Sequence, residues 1–275
     1  MNFLLPRVVP KIRKASDLSE QTKQSLFILL TRYYNGVSEK SFLDDLSEKS
    51  HVIVLYEAGS ELIVGFSTLL SKSIDVNGKQ VNVVYSGDTV LEKNYWGSSA
   101  LGVSFLYYLF LIKLWNPRTP LYWMLISKGY KTYLKMANNF QVYYPRLNHP
   151  TPAFENEVMN LFYGSKFGSH YHSEKGLIIP GKDEMACKVK EGVAPIDDIL
   201  IAKVPEVKFF ADRNSGWKVG NELACIAKME LTMPLRYGFK KLFLKNPGAK
   251  NSDFYSKIRR RLGLPVNGLE VRGKI

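Results

Sequence analysis

Residues Val83 to Trp115 read VVYSGDTVLEKNYWGSSALGVSFLYYLFLIKLW. A β-rich run, Val81 to Leu91, ends in a polar turn. The turn holds Gly97-Ser98-Ser99-Ala100 and opens straight into a long apolar helix. A strand, a small-residue turn and a helix start together form a ready anion holder. Backbone N–H groups point out of the first helical turn, and the helix dipole favours negative charge there.

The flanking sequence sets this unit in an α/β order. Val8 to Lys14 reads as a first strand. A helix with Asp17 as its N-cap runs to about Tyr34, and Ser38 opens a shorter one. Strands follow over His51 to Tyr56, Glu61 to Ile74 and Gln80 to Leu91, the last two joined by a hairpin at Asn77-Gly78. After the apolar helix, Asn116 to Pro120 breaks the chain, and Leu121 to Ser127 is apolar enough to be a central strand buried on both faces. A helix from about Tyr130 to Phe140 ends the unit near residue 148. The strand–helix–strand portion predicts one parallel pair in an otherwise antiparallel sheet. Such a pair parts beside a helix N-terminus and leaves a crevice.

Beyond residue 148 the pattern is weaker. Pro152 to Tyr163 and Pro205 to Arg213 read as helices, Gly164 to Gly181 as a loop, and Glu222 to Glu230 as a strand or a helix. Leu235 to Lys245 is a basic amphipathic helix. The division expected is 1–148 as the core domain and 149–275 as a C-terminal extension packed on it, with a basic tail from about 235.

Composition narrows the function classes. The 275 residues are 45% hydrophobic, enough for one large core. Two cysteines, Cys187 and Cys225, have no metal-ligand spacing and fit a reducing compartment. The apolar run Ala100 to Ile112 is shorter than the ~18 residues needed to span a bilayer. The expectation is a soluble, cytoplasmic protein, peripheral at the inner membrane face if the tail binds lipid. The net charge of +13 is concentrated beyond Pro234, where eleven Lys and Arg face only Asp253 and Glu270. That tail suits an anionic membrane surface or an acidic carrier protein. No recognised motif accompanies the charge to indicate nucleic acid.

The element order and its small-residue turn resemble the GNAT superfamily of acyl-CoA-dependent N-acyltransferases, over roughly residues 7 to 148. The resemblance implies an α/β (α+β) fold: a mixed, mostly antiparallel twisted sheet flanked by helices. It implies that the donor is acetyl-CoA or a longer acyl-CoA, or an acyl-carrier-protein thioester, and that the acceptor is an amine; the spacing of the cysteines and histidines leads to the expectation of no metal. The strand Val83 to Val90 would bond the pantetheine arm through its backbone, and the turn would cradle the pyrophosphate. Val90, Leu91, Tyr95, Trp96, Gly97, Ser98, Ser99 and Ala100 are the residues so implicated. The family pattern Gln/Arg-x-x-Gly-x-Gly/Ala is filled by Asn94, Gly97 and Ser99 in one register, and by Trp96, Ser99 and Leu101 in another.

Acyl transfer needs a polarised carbonyl, a deprotonated amine and a protonated thiolate. Asp88, late in its strand, is a candidate to accept the amine proton, directly or through water; a strand-end turn residue is the plain alternative. Glu92 can play the same part or be solvated beside Lys93. Tyr130 and Tyr133, in KGYKTYLKM, are candidates for the acid, since the family's tyrosine lies in the helix after this strand; packing is the competing role. His170 and His172 lie in a glycine-flanked loop without metal-site spacing. Lys128 is either a phosphate contact or a solvated strand end. The aromatics of Phe105 to Phe110 and Leu121 to Met124 line an acyl pocket or fill the core. The alternative to an acyltransferase is a non-catalytic GNAT-like ligand-binding protein, or a peripheral membrane protein.

Overall fold

The computed structural model describes residues 7–181, 188–189 and 196–233. The chain begins with β1 (Val8–Lys14), α1 (Glu20–Thr31), the two-residue β2 (Tyr34–Asn35) and α2 (Glu39–Ser47). Three antiparallel strands follow: β3 (His51–Glu57), β4 (Ile63–Val76) and β5 (Lys79–Leu91). Helix α3 (Ala100–Trp115) crosses to β6 (Leu121–Ser127), then come α4 (Tyr130–Asn139), β7 (Tyr143–Tyr144) and α5 (Ala153–Phe167). The remainder is β8 (Tyr171–His172), β9 (Leu177–Ile178), β10 (Lys188–Val189), α6 (Asp198–Lys203), α7 (Pro205–Arg213) and β11 (Glu222–Lys228).

The main sheet runs β1-β3-β4-β5-β6-β11-β9-β8, with β7 also on β11, and β10 pairs β2 apart from it. Among the described residues β5–β6 is the one parallel pair and every other pairing is antiparallel. This is the mixed, mostly antiparallel α/β sheet expected from the sequence. The helix α3 supplies the crossover that a parallel pair requires.

Helix starts follow their caps. Ser19, not Asp17, caps α1: its side chain accepts from the Thr22 N–H at 3.2 Å, while Asp17 ends a 3-10 turn. Ser38 and Ser41 form a reciprocal capping box on α2. The core lies on both faces of the sheet. Leu26, Leu30 and Phe42 of α1 and α2 pack on Val52, Val54, Phe66 and Val90. On the same face, Val158, Phe162 and Tyr163 of α5 pack on Val83, Tyr85 and Met124. The opposite face carries α3, where the Phe105 ring meets Trp123 at 4.9 Å, and α4, where Phe140 meets Trp123 at 5.0 Å.

Two expectations change. The chain does not divide after 148: β11 inserts beside β6, α5 packs on β11, and the compact unit runs to Pro234. Glu222–Lys228 is a strand, buried except at its ends. The stretch expected to be a loop, Gly164 to Gly181, contains the end of α5 and the pair β8–β9. The basic helix over Leu235 to Lys245 and the tail lie outside the described residues. Among the described residues no helix is long and apolar enough to cross a membrane.

One buried side chain ties the later part of the chain to the centre of the sheet. The Tyr163 hydroxyl accepts from the Leu125 N–H at 2.9 Å and donates toward the carbonyls of Leu125 and Cys225 at 3.0 and 2.7 Å. It is fully buried, so its loss strands backbone groups where water cannot reach them. Tyr163→Phe is expected to lower stability by about 2 kcal/mol. In urea unfolding the midpoint should fall with an unchanged slope; an unchanged midpoint would show that the hydroxyl is dispensable.

Candidate active site at the parting of β5 and β6

Strands β5 and β6 pair only from Asn82 with Leu121 to Ser86 with Leu125. Beyond that point β5 stays with β4, where Thr89, Val90 and Leu91 face Ser67, Phe66 and Gly65. Strand β6 instead follows β11, Ile126 and Ser127 facing Ala224 and Leu223. The two strands therefore part. At the same level the β4–β5 register slips by one residue between Ser67/Thr89 and Leu69/Ser86, leaving a bulge at Gly87-Asp88. A bulge bends its strand and re-aims the residues it contains.

Beyond the end of β5 lies the turn. Tyr95 is buried and donates to Glu57 at 2.6 Å, anchoring the turn to β3. The Trp96 indole donates to the Leu91 carbonyl at 2.8 Å, and its ring lies 5.2 Å from the Lys131 ammonium at the start of α4. Gly97 has φ +95°, a conformation that side-chain-bearing residues rarely adopt. Ser99 is the N-cap of α3 without a side-chain cap, and the Ala100 N–H donates to the Ser98 hydroxyl oxygen at 3.3 Å. The first intrahelical bond is Val103 to Ser99, so among the described residues the Leu101 and Gly102 N–H groups have no acceptor. Gly102 is exposed. These groups fit a phosphate. Lys131 brings the turn a cation that the sequence reading did not connect with it. Val90 is buried against the α1/α2 core, so only its backbone is available to a ligand. Glu92 is not solvated: it pairs with Arg32 and accepts from the Tyr33 hydroxyl at 2.8 Å.

On the α1/α2 face of the bulge sits a charged cluster. Asp88 is partly exposed and makes no hydrogen bond to any described residue. Burial, reinforced by Asp45, pushes its carboxyl up to about 6, against the pull of Lys128 and Lys49. Lys49, its side chain sealed from solvent, binds Asp45 at 2.6 Å. Lys166 of α5 reaches Glu48 at 2.8 Å and Asp45 at 3.5 Å. Lys128, just past β6, pairs with Glu222 of β11 at 3.1 Å and is mostly buried there, not fully solvated. Burial raises the Glu222 carboxyl, and Lys128 opposes that rise. Thr68, beneath Gly87, has a buried hydroxyl without a partner among the described residues.

The sequence candidates separate here. Asp88 and the turn both border the opening. Tyr133 does not: it is fully buried, its hydroxyl donates to the Pro145 carbonyl at 3.0 Å, and its ring packs on Phe210. Tyr130, at the start of α4, is buried in its ring, and its hydroxyl makes no hydrogen bond to any described residue. Burial, then Asp197, raises its pKa. His172 is exposed, and His170 carries a turn that bonds Ile179. Phe105, Leu109, Leu121 and Met124 are core. Lys49, Glu222 and Thr68 were missed. Asp45 and Lys49 stand four apart across the end of α2, a spacing that usually marks a surface pair. Glu222 and Thr68 offer no signal without the sheet register.

No family model matches the sequence, and no curated protein matches it. Solved structures do resemble it. A conserved protein of unknown function from Enterococcus faecalis is 11% identical over 47% of this chain, with a TM-score of 0.35; the match covers 32% of that protein. A GNAT family N-acetyltransferase of Escherichia coli, in complex with CoA, is 14% identical over 51% of this chain and 72% of its own, with a TM-score of 0.36. An N-acyl amino acid synthase from uncultured soil microbes is 12% identical over 50% of this chain and 79% of its own, also at 0.36.

Proposed function

We propose that this chain moves an acyl group from a thioester, on CoA or on a carrier protein, to an amine. The observation that carries the reading is the parting of β5 from β6, with unpartnered helix amides at one border and a raised carboxyl at another. The Leu101 and Gly102 N–H groups suit the donor's phosphate, with Gly97 giving the turn its shape. The backbone of β5 from Gly87 to Leu91, no longer paired with β6, suits the amide-bearing pantetheine arm. Asp88 takes the amine proton as the nitrogen attacks the thioester carbon. A C–N bond forms, the C–S bond breaks, and the thiolate receives a proton from Tyr130 or water. Tyr130 takes this role in place of Tyr133, whose hydroxyl is already spent on Pro145.

A second reading, binding without transfer, is favoured by one contact. The Trp96 indole occupies the Leu91 carbonyl, a group on the strand the donor arm would use. Thermal shift with CoA, acetyl-CoA, long-chain acyl-CoA and an acylated carrier tests both readings. Stabilisation by a thioester, together with amine-dependent thiol release, is expected. Binding with no thiol release from any amine would favour the second reading, and no stabilisation by any donor would sink both.

Asp88 makes three further predictions. A base with a pKa of about 6 gives turnover that rises through that pH and levels off above it. Asp88→Asn is expected to cut kcat by roughly 10²–10⁴ while donor binding persists; an unchanged kcat would remove Asp88 from the mechanism. The same carboxyl costs stability. Its folded pKa lies above its unfolded value, so the native state holds the proton more tightly. Stability therefore falls as pH rises from the unfolded value of 3.8 through about 6. At pH 7.5 Asp88→Asn is expected to be more stable by about 1–2 kcal/mol, and the difference should close near pH 4. Urea titrations at the two pH values read this; a gap of equal size at both would contradict it.

A further inference from the structure

The charged cluster contains a group that the mechanism above does not use. Lys49 comes from the last turn of α2's path, just after its C-cap, and its side chain has no solvent exposure. Burying an ammonium is costly unless its charge and its donors are matched. Among the described residues its hydrogen bonding is limited to the Asp45 carboxylate at 2.6 Å. The ammonium also lies over the Tyr85 ring, 5.5 Å from its centre.

The bulge is built to admit this side chain. A Cβ on Gly87 would stand 3.0 Å from Lys49 Cε, 3.5 Å from Lys49 Nζ and 2.6 Å from the Thr68 hydroxyl. Only a glycine lets the lysine lie this close against β5. The residue after that glycine is Asp88. Around Gly87 lie the Lys49 ammonium, whose hydrogen bonding among the described residues is to Asp45, and the unpartnered Thr68 hydroxyl; the Asp88 carboxyl, on the next residue, makes no hydrogen bond to any described residue. Native proteins rarely leave such groups unmatched without a functional reason.

We propose that Lys49 is a positioning residue for Asp88: its sealed ammonium, laid over Gly87, is a counter-charge that, together with Lys128, keeps the Asp88 carboxylate available to accept a proton. The proposal rests on the reading of Asp88 as the base. Lys49 itself touches no reacting atom. Its effect is set against the other charges that bear on Asp88 from each neighbouring element. Asp45 of α2 opposes ionisation, Lys128 after β6 favours it, and Glu222 of β11 opposes it. Lys166 of α5 completes the group: it shares Asp45 with Lys49 and pairs with Glu48.

The geometry gives two substitutions opposite signs. Removing Lys49 takes away a cation and must make Asp88 harder to ionise. Removing the charge of Asp45 takes away a repulsive neighbour and frees Lys49 to turn to Asp88, which must make it easier to ionise. A purely structural lysine would produce no such pair of opposed effects.

The test is a carboxyl-carbon NMR titration of Asp88 in the full chain, which needs no substrate and no activity. The wild-type midpoint is expected near 6. Lys49→Met should raise it by about one pH unit, Lys49→Arg should leave it close to wild type, and Asp45→Asn should lower it. A midpoint unmoved by Lys49→Met, or moved the same way by Lys49→Met and Asp45→Asn, would overturn the proposal. Should Lys49→Met fail to fold, Lys49→Gln, which removes the charge but keeps a polar head beside Asp45, takes its place: a rise supports the proposal, and no change or a fall overturns it. Thiol-release assays of the same variants separate this result from the function. Opposed midpoint shifts without turnover in the wild type would leave the electrostatic role standing and remove the acyltransferase reading.

Discussion

The rest of the structure depends on where β6 finds its hydrogen bonds. Up to Leu125 it pairs with β5, and beyond that it pairs only with β11. Backbone groups in a sheet interior must be satisfied somewhere. Because β11 holds the far edge of β6, and β4 that of β5, each central strand keeps one partner where the two part. Tyr163 secures this arrangement by bonding Leu125 and Cys225 at the level of the fork. The late segment of the chain is therefore a structural condition of the opening.

The opening is bordered by two different kinds of electrostatics. The turn and the start of α3 offer neutral donors, N–H groups ordered by the fold, which favour an anion without burying any charge. The bulge at Gly87-Asp88 offers ionised groups held away from water. There burial, with Asp45 added and Lys128 and Lys49 opposing, raises one carboxyl to about 6. Such a balance is costly for folding and useful for proton transfer, the usual bargain at sites of chemistry.

Much of the fold was legible in the sequence because it rests on local signals. The Asn77-Gly78 hairpin, the continuous apolar run of β6 and the small-residue turn before α3 each announce their element, and their order fixes the single parallel pair. What was illegible depends on long-range register. Glu222–Lys228 is short and carries no alternation, so nothing local says it enters the sheet between β6 and β9. The same blindness hid Glu222 and Lys49 from the site. Asp88 was legible as a carboxylate at a strand end, but its raised pKa comes first from burial and then from Asp45 on α2, both set by long-range packing. Tyr133 shows the reverse error. Its position one turn into the helix fitted a catalytic acid, whereas the fold spends its hydroxyl on Pro145 and its ring on Tyr143 and Phe210.

The central claim is that the fork between β5 and β6, together with the start of α3, holds an acyl thioester. Amide hydrogen exchange, with and without a non-hydrolysable acyl-CoA analogue, tests it most directly. The account predicts that protection gained on binding is concentrated at Leu101 and Gly102 and along Gly87 to Leu91. Protection elsewhere, with these amides unchanged at saturating analogue, would contradict it.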